Sequence, residues 1–401
     1  MHEEAHYDPF SANPAAAYPA LRAAQCPVHR YQGAEHSFYA LSRHADVRSA
    51  LARSAVFTMK YGQMHTYLPG QGLTVDPPVH TVLRRLLNPL FTPQRVSVLA
   101  SKLEKIAVAL VGEMAPRRNA DFYADFACSY PVHVAAEVLG VDPSRKDEFR
   151  SWVSDFTAGL NSGDQALETS ARKAVYGYFG SLMQERRAAL ARGDACPDDL
   201  ISVLISGEHP EGRPFEDEEL LPNTILLLAG GVDTSSFLLT NCTYRLLENR
   251  ALWERVCADA SLIPLAIEES LRFDSPVFGT FRTNDEPVNL HGVDIPQDSK
   301  IQLLYASANR DPAVFPDPDT YRLDRDIVLL RRDHLAFGGG VHACIGNSLA
   351  RLSAKIALTV LTRRLPSLRL AGTPRRYEKV PAAIAINNGL VSLPIRWEEE
   401  A

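Results

Sequence analysis

The stretch that most constrains this chain is residues 337–346, which read F-G-G-G-V-H-A-C-I-G and lead into a strongly helical run. Cys344 lies in a glycine-rich turn that feeds a helix, where backbone N–H groups and the positive helix end favour a thiolate. A thiolate in that setting is typical of a metal ligand. Gly338, Gly340 and Gly346 have no Cβ, so the backbone can lie flat against a large planar group. The stretch therefore predicts a metal-ligand loop beside a planar cofactor.

Two plainer interpretations of this loop compete with that prediction. The spacing Gly338-x-Gly340-x-x-Ala343 formally matches a dinucleotide-binding fingerprint, but RRDHLAF precedes it instead of a buried apolar strand. About twenty residues later stands Arg363, where that fingerprint has an acid. The second alternative is a buried structural cysteine beside a turn. The neighbouring motifs have to decide between these interpretations.

The chain as a whole has the pattern of a mainly α-helical protein with small β-sheets. From about residue 94 to 275, apolar residues recur at three- and four-residue spacing, which is the period of an amphipathic helix. Short strand-like stretches lie nearer the ends, where proline and glycine punctuate the sequence. These stretches are residues 37–42, 288–296 and 300–306.

Residues 311–325 are too rich in proline and aspartate for a helix or a central strand. They nevertheless carry Phe315, Tyr321 and Leu323, so we predict an ordered meander that these side chains hold in place. No Gly/Ser-rich tether, repeat or low-complexity tract divides the chain. We therefore expect residues 1–401 to form a single domain.

The composition excludes several function classes. With 42 basic and 48 acidic residues the net charge is −6, so the chain lacks the positive charge of a nucleic-acid-binding protein. The polar start MHEEAHYDPF has no signal-peptide pattern, and no uninterrupted apolar run approaches the roughly 18 residues of a membrane span. The six cysteines are scattered, without a C-x-x-C pair. We expect a cytoplasmic protein that binds neither membrane nor nucleic acid, and we expect it to be a monomer.

A second informative stretch, residues 221–247, is an apolar helix that contains the adjacent glycines Gly230 and Gly231. Each glycine costs a helix about 1 kcal/mol relative to alanine, so a pair in such a strong pattern needs a reason. Thr234 lies four residues after Gly230, and its hydroxyl can bond the Gly230 carbonyl. That bond would interrupt the ladder and open a groove for a diatomic ligand and a water. Alone, Asp233 and Thr234 would be an ordinary polar helix face.

Two further helical motifs carry paired polar side chains. Glu269 and Arg272 lie at i, i+3 and share a helix face, although such pairs are common by chance. Asp76 is a good N-cap for another helix, on which His80 and Arg84 fall at i, i+4 opposite an apolar stripe. Two donors on one face suit an anion, and a solvated basic face would have the same pattern.

The pattern F-G-x-G-x-H-x-C-x-G in residues 337–346 resembles the haem-ligand loop of the cytochrome P-450 family. By that resemblance Cys344 is the axial thiolate of haem b, Phe337 packs beside the sulfur, and His342 lies near a haem propionate. Gly346 would complete the cofactor contacts of this loop. The resemblance extends over the whole chain, because the other motifs occur in the family's order and both ends of the chain are also similar.

The acid–alcohol pair Asp233–Thr234 is similar to that of the family's distal helix. The resemblance thus implies that the haem lies between this helix, at about residues 221–247, and the ligand loop. The propionate contacts that it implies are those of His80, Arg84 and Arg282.

Glu269 and Arg272 resemble the family's structural E-x-x-R motif, which anchors its helix to the meander behind the ligand loop. A third basic partner is usual in that motif. The sequence leaves this partner open between Arg322 and Arg325.

These resemblances imply a haem-thiolate monooxygenase of the soluble bacterial type. It would insert one oxygen atom of O2 into a C–H or C=C bond of a small to medium apolar substrate. The Cys344 thiolate would push electron density toward O–O cleavage, and Asp233 with Thr234 would govern proton delivery. Electrons would come from a separate ferredoxin and its reductase.

The charge distribution suggests where such a ferredoxin docks. Residues 331–376 contain nine basic residues and a single acid, Asp333. The net charge of this segment is therefore +8, and that of the rest of the chain is −14. A helix with a solvated face explains part of that asymmetry, but four of the basic residues flank the ligand loop. We expect an acidic ferredoxin to dock there. The flanking residues are Arg331, Arg332, Arg351 and Lys355, and the others are Arg363, Arg364, Arg369, Arg375 and Arg376.

By family position, the substrate pocket is lined by aromatic, methionine and aliphatic side chains, which suit an apolar ligand. Each of these residues also has a plain core interpretation. His65 and Tyr67 carry polar tips that could bond a substrate oxygen. The predicted lining is Phe57, Met59, Tyr61, Met64, His65, Tyr67, Leu68, Leu226, Ala229, Val277, Phe278, Thr280 and Ile386.

Two other functions stay open beside the monooxygenase. A haem-thiolate sensor or electron carrier would bind gas or pass electrons without turnover, but it needs no acid–alcohol pair. A peroxide-using or isomerising member of the same fold is the second alternative, and such proteins often lack that pair. Turnover with O2 and a ferredoxin, compared with turnover on peroxide alone, separates them.

Overall fold

The computed structural model describes residues 7–11, 13–33, 37–162, 164–197, 199–377 and 386–398. Residues 1–6 of the polar start thus lie outside the described residues. As the sequence predicts, the chain is mainly α-helical. Its helices are α1 Tyr18–Ala23, α2 His44–Ala52, α3 Val79–Leu87, α4 Pro93–Ser97, α5 Ala100–Met114, α6 Ser129–Leu139, α7 Lys146–Ser162, α8 Gln165–Ala191, α9 Leu200–Ile205, α10 Asp217–Glu248, α11 Arg250–Ala258, α12 Ile263–Phe273, α13 Tyr305–Ala308, α14 Ile327–Asp333 and α15 Asn347–Arg364.

The strands are short and form small sheets, also as predicted. They are β1 Val28–Gln32, β2 Ser37–Leu41, β3 Phe57–Thr58, β4 Asn119–Asp121, β5 Thr280–Asn284, β6 Val288–Leu290, β7 Val293–Ile295, β8 Lys300–Leu303, β9 Arg369–Leu370, β10 Arg375–Arg376, β11 Leu390–Ser392 and β12 Pro394–Arg396. The largest sheet has the order β1-β2-β8-β5-β3, in which only β2 and β8 run parallel. The order β4-β12-β9 forms a second sheet, and β6-β7 and β10-β11 pair separately.

Helix α10 is the centre of the helical part, where it packs against α6, α8, α12 and α15. Its first half contributes Leu228 and Val232 to one apolar cluster with α7, α8 and α9. Its second half contributes Leu239 and Leu246 to another cluster with α5, α12 and α15. Among the described helices, only α10 is long and apolar enough to cross a membrane, and 56% of its apolar window is buried inside the protein.

The predicted meander, residues 311–325, has no helix or strand and is held in place by buried side chains. Phe315 and Leu323 are buried. The Tyr321 hydroxyl donates to the Ala266 carbonyl at 3.0 Å and lies 2.9 Å from the Ser270 hydroxyl. Apolar burial and these two contacts therefore fix the meander against α12.

Arg272 on α12 is the main polar anchor of the meander. It is fully buried and makes a two-pronged bond to the Glu269 carboxylate, at 2.8 and 2.7 Å. Its remaining N–H groups donate to the main-chain carbonyls of Asn309, Pro318 and Thr320. A buried cation whose donors are all directed at acceptors avoids the cost of an unpaired charge.

The structure decides which residue is the third partner of this pair. Arg325 places its Nε 3.1 Å from a Glu269 carboxylate oxygen, and its side chain is largely buried. Arg322 reaches Glu269 only through its main-chain N–H, while its guanidinium pairs with Asp324. The open choice of the sequence is therefore settled in favour of Arg325.

Replacing Arg272 with alanine should leave Glu269 buried beside one remaining cation. We expect a loss of about 3 to 5 kcal/mol, because breaking a buried pair by removing one partner costs that much. Chemical denaturation followed by circular dichroism measures the change. Arg322→Ala is the matched control and should change stability by less than about 1 kcal/mol, since its pairs are exposed. A stable, well-folded Arg272→Ala protein would contradict the structural role.

Candidate active site

The loop of residues 337–346 is closed by main-chain hydrogen bonds. The Cys344 N–H donates to the Phe337 carbonyl at 2.9 Å, and a single 3₁₀ turn spans Gly340–His342. Helix α15 begins directly afterwards, at Asn347. The Asn347 side-chain amide donates back to the Cys344 carbonyl at 2.8 Å. The cysteine is therefore held in a fixed turn before a helix, as the sequence predicts.

Two glycines of this loop have a structural reason besides the predicted one. Gly338 and Gly340 both have φ of +65°, a conformation that favours glycine. A Cβ on Gly340 would lie 2.0 Å from the Leu51 carbonyl oxygen of α2. Turn geometry, and at Gly340 also the contact with α2, therefore requires glycine here, and the predicted approach to a planar group stays a prediction. At Gly346 the nearest atom to an added Cβ is the Cys344 sulfur, at 3.9 Å.

The Cys344 side chain has accessible surface within a concavity of about 370 Å³ that the loop, α2, α14 and α15 line. Burial raises the pKa of the thiol above its ordinary value. The Gly346 N–H and the positive charges of Arg84 and Arg351 oppose that shift. The groups that the sequence predicts to favour a thiolate, a main-chain N–H and nearby positive charge, are therefore present beside the sulfur.

Three of the predicted cofactor-binding side chains lie together beside this loop. The ring centroids of His80 and His342 are 4.2 Å apart, and Arg84 donates to the Ala343 carbonyl at 3.0 Å. Burial, together with the neighbouring His342 and Arg84, lowers the pKa of His80 to about 4. His80 is consequently neutral at pH 7 and can still donate one hydrogen bond.

These side chains fit the carboxylates of a haem. The two ring nitrogens of His342 are buried and have no hydrogen-bond partner among the described residues. Arg282 on β5 is also buried, and in the described part of the chain it pairs with no carboxylate; it donates only to the Phe281 carbonyl and the Thr280 hydroxyl. Buried donors of this kind require an anion or another acceptor.

Asp76 does not cap α3 as predicted, because that helix begins at Val79 and its N-cap residue is Pro78, without a side-chain cap bond. Instead its carboxylate accepts the Met59 N–H at 2.9 and 3.0 Å. The same carboxylate lies 3.5 Å from His342 Nε2. Asp76 therefore connects the predicted substrate loop to the ligand loop, a role that its sequence position does not indicate.

On the distal side, the predicted Thr234 bond is confirmed. Its hydroxyl donates to the Gly230 carbonyl at 2.7 Å. The predicted interruption of the helix is wrong, because α10 is continuous from Asp217 to Glu248. A Thr hydroxyl can donate to the carbonyl of the preceding turn while that oxygen still accepts its helical N–H, because a carbonyl oxygen has two lone pairs. A Cβ on Gly230 or Gly231 would meet no described atom within 4 Å, so both glycines face open space.

Asp233 lies in a phenol- and thiol-rich environment. Burial, Cys128 and the Asp233 carboxylate raise the pKa of Tyr123, and burial with Asp233 raises that of Tyr377 to about 12. Tyr123 and Tyr377 pack against Phe237, one helical turn after Asp233, with ring centroids 6.5 and 5.9 Å from that ring. The acid is thus bordered by two neutral phenols that the sequence did not indicate.

The predicted substrate loop is fastened to the large sheet. The Phe281 N–H donates to the Gln63 carbonyl at 2.9 Å, and the buried Lys300 ammonium donates to the Tyr61 carbonyl at 2.7 Å. His65 packs against Phe281 at 6.2 Å between ring centroids. Burial, together with the charge of Arg282, lowers the pKa of Lys300 to about 8. Lys300 was not predicted, because a lysine in a strand has no local signal of burial.

Some predicted pocket residues have other neighbours in the structure. Tyr67 and Leu68 are 53% and 70% exposed at the outer side of the loop. Phe278 is buried against Tyr18, and the Thr280 hydroxyl lies 2.7 Å from that of Tyr305. The others are buried or half-buried, and their place in a pocket stays a prediction. They are Phe57, Met59, Tyr61, Met64, His65, Leu226, Ala229, Val277 and Ile386.

The chain is similar to known proteins over most of its length. The family model described as Cytochrome P-450 matches residues 155–263 and 258–367. A steroid C26-monooxygenase of Mycolicibacterium smegmatis is 36% identical over 75% of this chain and 73% of its own. The 6-deoxyerythronolide B hydroxylase of Saccharopolyspora erythraea is 33% identical over 87% and 80%. The crystal structure of CYP108D1 from Novosphingobium aromaticivorans has a TM-score of 0.85 at 30% identity and covers 98% of this chain and 97% of that one.

The contact of Gly340 with α2 leads to a prediction about the ligand loop. Gly340→Ala should destabilise the protein by about 2 kcal/mol or more, because the left-handed conformation alone costs a side chain 1–2 kcal/mol and the Cβ would also clash with Leu51. Gly339→Ala is the control, since its backbone is extended and its Cβ would meet Leu51 at an ordinary 3.4 Å. Thermal unfolding measures both. Equal stability of the two variants would refute this explanation of Gly340.

Proposed function

Since this chain belongs to the cytochrome P-450 family of monooxygenases, whose chemistry uses a haem-thiolate and O2, we propose that Cys344 is the thiolate ligand of its haem b. When bound, the haem supplies the iron at which O2 is activated with two electrons and two protons. The observation that carries this proposal is the convergence of Cys344, Arg84, His80 and His342 on one place.

The chain's own residues would hold the haem from two sides. Phe337 and Gly346 lie close to Cys344 in the loop, and the Cys344 residue is exposed there. The buried donors of His80, Arg84, Arg282 and His342 would bind the propionates. The Arg84 guanidinium donates to the Ala343 carbonyl, so a propionate bound by Arg84 would be held at a fixed position relative to the ligand loop.

Proton delivery is the proposed role of Asp233 and Thr234. The Thr234 hydroxyl donates a hydrogen bond to the Gly230 carbonyl at 2.7 Å. Its oxygen can therefore accept a hydrogen bond from a water or from another proton donor. Asp233, one residue earlier, can take up a proton and pass it on. The acid–alcohol pair favours O2-driven oxygen insertion over a sensor or an electron carrier, which need no proton supply.

The proposed substrate is a small to medium apolar molecule that undergoes hydroxylation or epoxidation. The relatives include a steroid C26-monooxygenase and a 6-deoxyerythronolide B hydroxylase by name, and the half-buried residues of the predicted pocket are mostly apolar. His65, held against Phe281, is proposed to bond an oxygen of the substrate. Terpenes, aromatics, steroids, macrolides and fatty acids are the classes to compare by the haem spin state on binding.

Thr234→Ala tests the proposed reaction on the best ligand from that comparison. We expect unchanged ligand affinity and continued consumption of reductant, but at least a severalfold rise in peroxide released per product, because the proton-bearing hydroxyl is lost. Product, peroxide and reductant are measured together. Cys344→Ser is the control and should lose both product and the far red-shifted Soret band of the reduced carbon-monoxide complex. Equal product per reductant in Thr234→Ala, or wild-type turnover with peroxide only, would contradict the proposal.

An acidic ferredoxin is the proposed electron donor, and the rim of the Cys344 concavity is its proposed docking surface. This rim surface consists of Arg48, Arg331 and Arg332, which are 53%, 48% and 62% exposed. Arg48 and Arg332 share Asp333, so one acid offsets two cations. Opposite charge on a partner would increase the rate of encounter beside the loop that carries Cys344.

The rate of reduction by ferredoxin should fall as salt shortens the Debye length from about 30 Å to about 8 Å. Replacing Arg48 and Arg332 with glutamine should slow reduction roughly tenfold at low salt and flatten the salt dependence. Stopped-flow measurement of the rate of first-electron transfer compares this double variant with a control, Lys102→Gln/Arg117→Gln. The control also removes two exposed, paired cations. Identical salt dependence in both double variants would exclude this docking surface.

A further inference from the structure

The Glu268 carboxylate, next to the structural Glu269, is bonded by three side chains that come from α14 and α15 and the segment between them. His334 Nε2 lies 3.0 Å from one oxygen, Arg331 Nε donates to the other at 2.8 Å, and Arg351 donates to both at 2.7 and 3.1 Å. Although burial alone would raise the pKa of Glu268, the hydrogen bonds from His334 and Arg351 outweigh it and lower that pKa to about 2. Glu268 is therefore a buried carboxylate that is charged at neutral pH, and neither the fold motif nor the proposed proton route gives it a use.

Arg351 is the partner of Glu268 that reaches the ligand loop. Its guanidinium carbon lies 4.5 Å from the centroid of the Phe337 ring, in a cation–π arrangement. Its Nη1 donates to the Asn347 side-chain oxygen at 3.0 Å, and the Asn347 amide donates to the Cys344 carbonyl at 2.8 Å. A continuous chain of hydrogen bonds thus runs from the buried carboxylate to the main chain of Cys344.

The Arg351 charge is also close to the loop on the side of Phe337. Its guanidinium lies over the Phe337 ring, and the Phe337 carbonyl accepts the Cys344 N–H at 2.9 Å. A fixed positive charge near a thiolate stabilises negative charge on the sulfur and so reduces the electron density that the sulfur gives to a bound metal. The same charge favours uptake of an electron at that metal, since the electron adds negative charge nearby.

We infer that Glu268 is a positioning residue which holds the Arg351 guanidinium over Phe337, and that this guanidinium raises the reduction potential of the haem. The inference rests on the proposed ligation by Cys344. It assigns to Arg351 a role distinct from the docking surface, because the Arg351 side chain is only 23% exposed, whereas that of Arg331, which also bonds Glu268, is 48% exposed at the rim.

Arg351→Gln tests this inference on the haem-loaded protein without any redox partner. We expect a lower reduction potential than in the wild type in a dye-mediated dithionite titration, with the red-shifted carbon-monoxide band retained. Arg363→Gln is the matched control: it removes the same charge from the same helix, but Arg363 is exposed and pairs with Glu104. Twelve residues of helix separate the two arginines by about 18 Å, so the control should leave the potential unchanged.

Arg351→Lys keeps the inference testable if the glutamine variant loads haem poorly. It retains the charge, so its potential should lie closer to the wild-type value than that of Arg351→Gln. If Glu268 positions Arg351, the Arg351→Gln shift should shrink when Glu268 is also changed to glutamine. A merely structural role would lower haem content without moving the potential.

The outcomes separate this inference from the proposed function. A wild-type protein without the red-shifted carbon-monoxide band would refute ligation by Cys344. With that band present, equal potentials in Arg351→Gln and Arg363→Gln would overturn the role of Arg351. Fully additive shifts for Glu268→Gln and Arg351→Gln would overturn the positioning role of Glu268.

Discussion

The buried guanidinium of Arg272 is the interaction on which the rest of the structure depends. It joins Glu269 on α12 to the main-chain carbonyls of Asn309, Pro318 and Thr320, so helix and meander can adopt only one relative position. Moving either element would leave a charge or several carbonyls unsatisfied away from water, which is costly. After this meander the chain continues into α14 and then the ligand loop, so the anchored meander fixes the position from which the loop begins.

Two adjacent carboxylates on α12 face different neighbouring elements. Successive residues of an α-helix are separated by about 100° around its axis, so neighbours face different elements. Glu269 faces the meander with Arg272, whereas Glu268 faces α15 through Arg351 and the start of the loop through His334. One helix therefore positions the elements before and after the ligand loop. The place of Cys344 follows from both contacts together.

Local features of the fold and of the site could be predicted from the order of the residues alone. The three- and four-residue period predicted the helices, and the proline-rich composition predicted the meander. The Thr234–Gly230 bond was predictable because four residues in a helix bring a hydroxyl to a carbonyl by geometry alone. The ligand loop and its family resemblance were readable because their residues are contiguous. His80 and Arg84 were predictable as one face, since the helix sets their spacing.

The pairing of residues that are distant in the sequence depends on the fold and could not be predicted. The Arg325 guanidinium pairs with Glu269 because the fold directs it inward, whereas the Arg322 guanidinium pairs with acids at the surface. The need for glycine at position 340 comes from Leu51, which is remote in sequence. The balance of the Cys344 pKa depends on how much surrounding protein excludes water, and a one-dimensional pattern does not contain that quantity. Spacing fixes geometry within one element, whereas burial and charge pairing arise between elements.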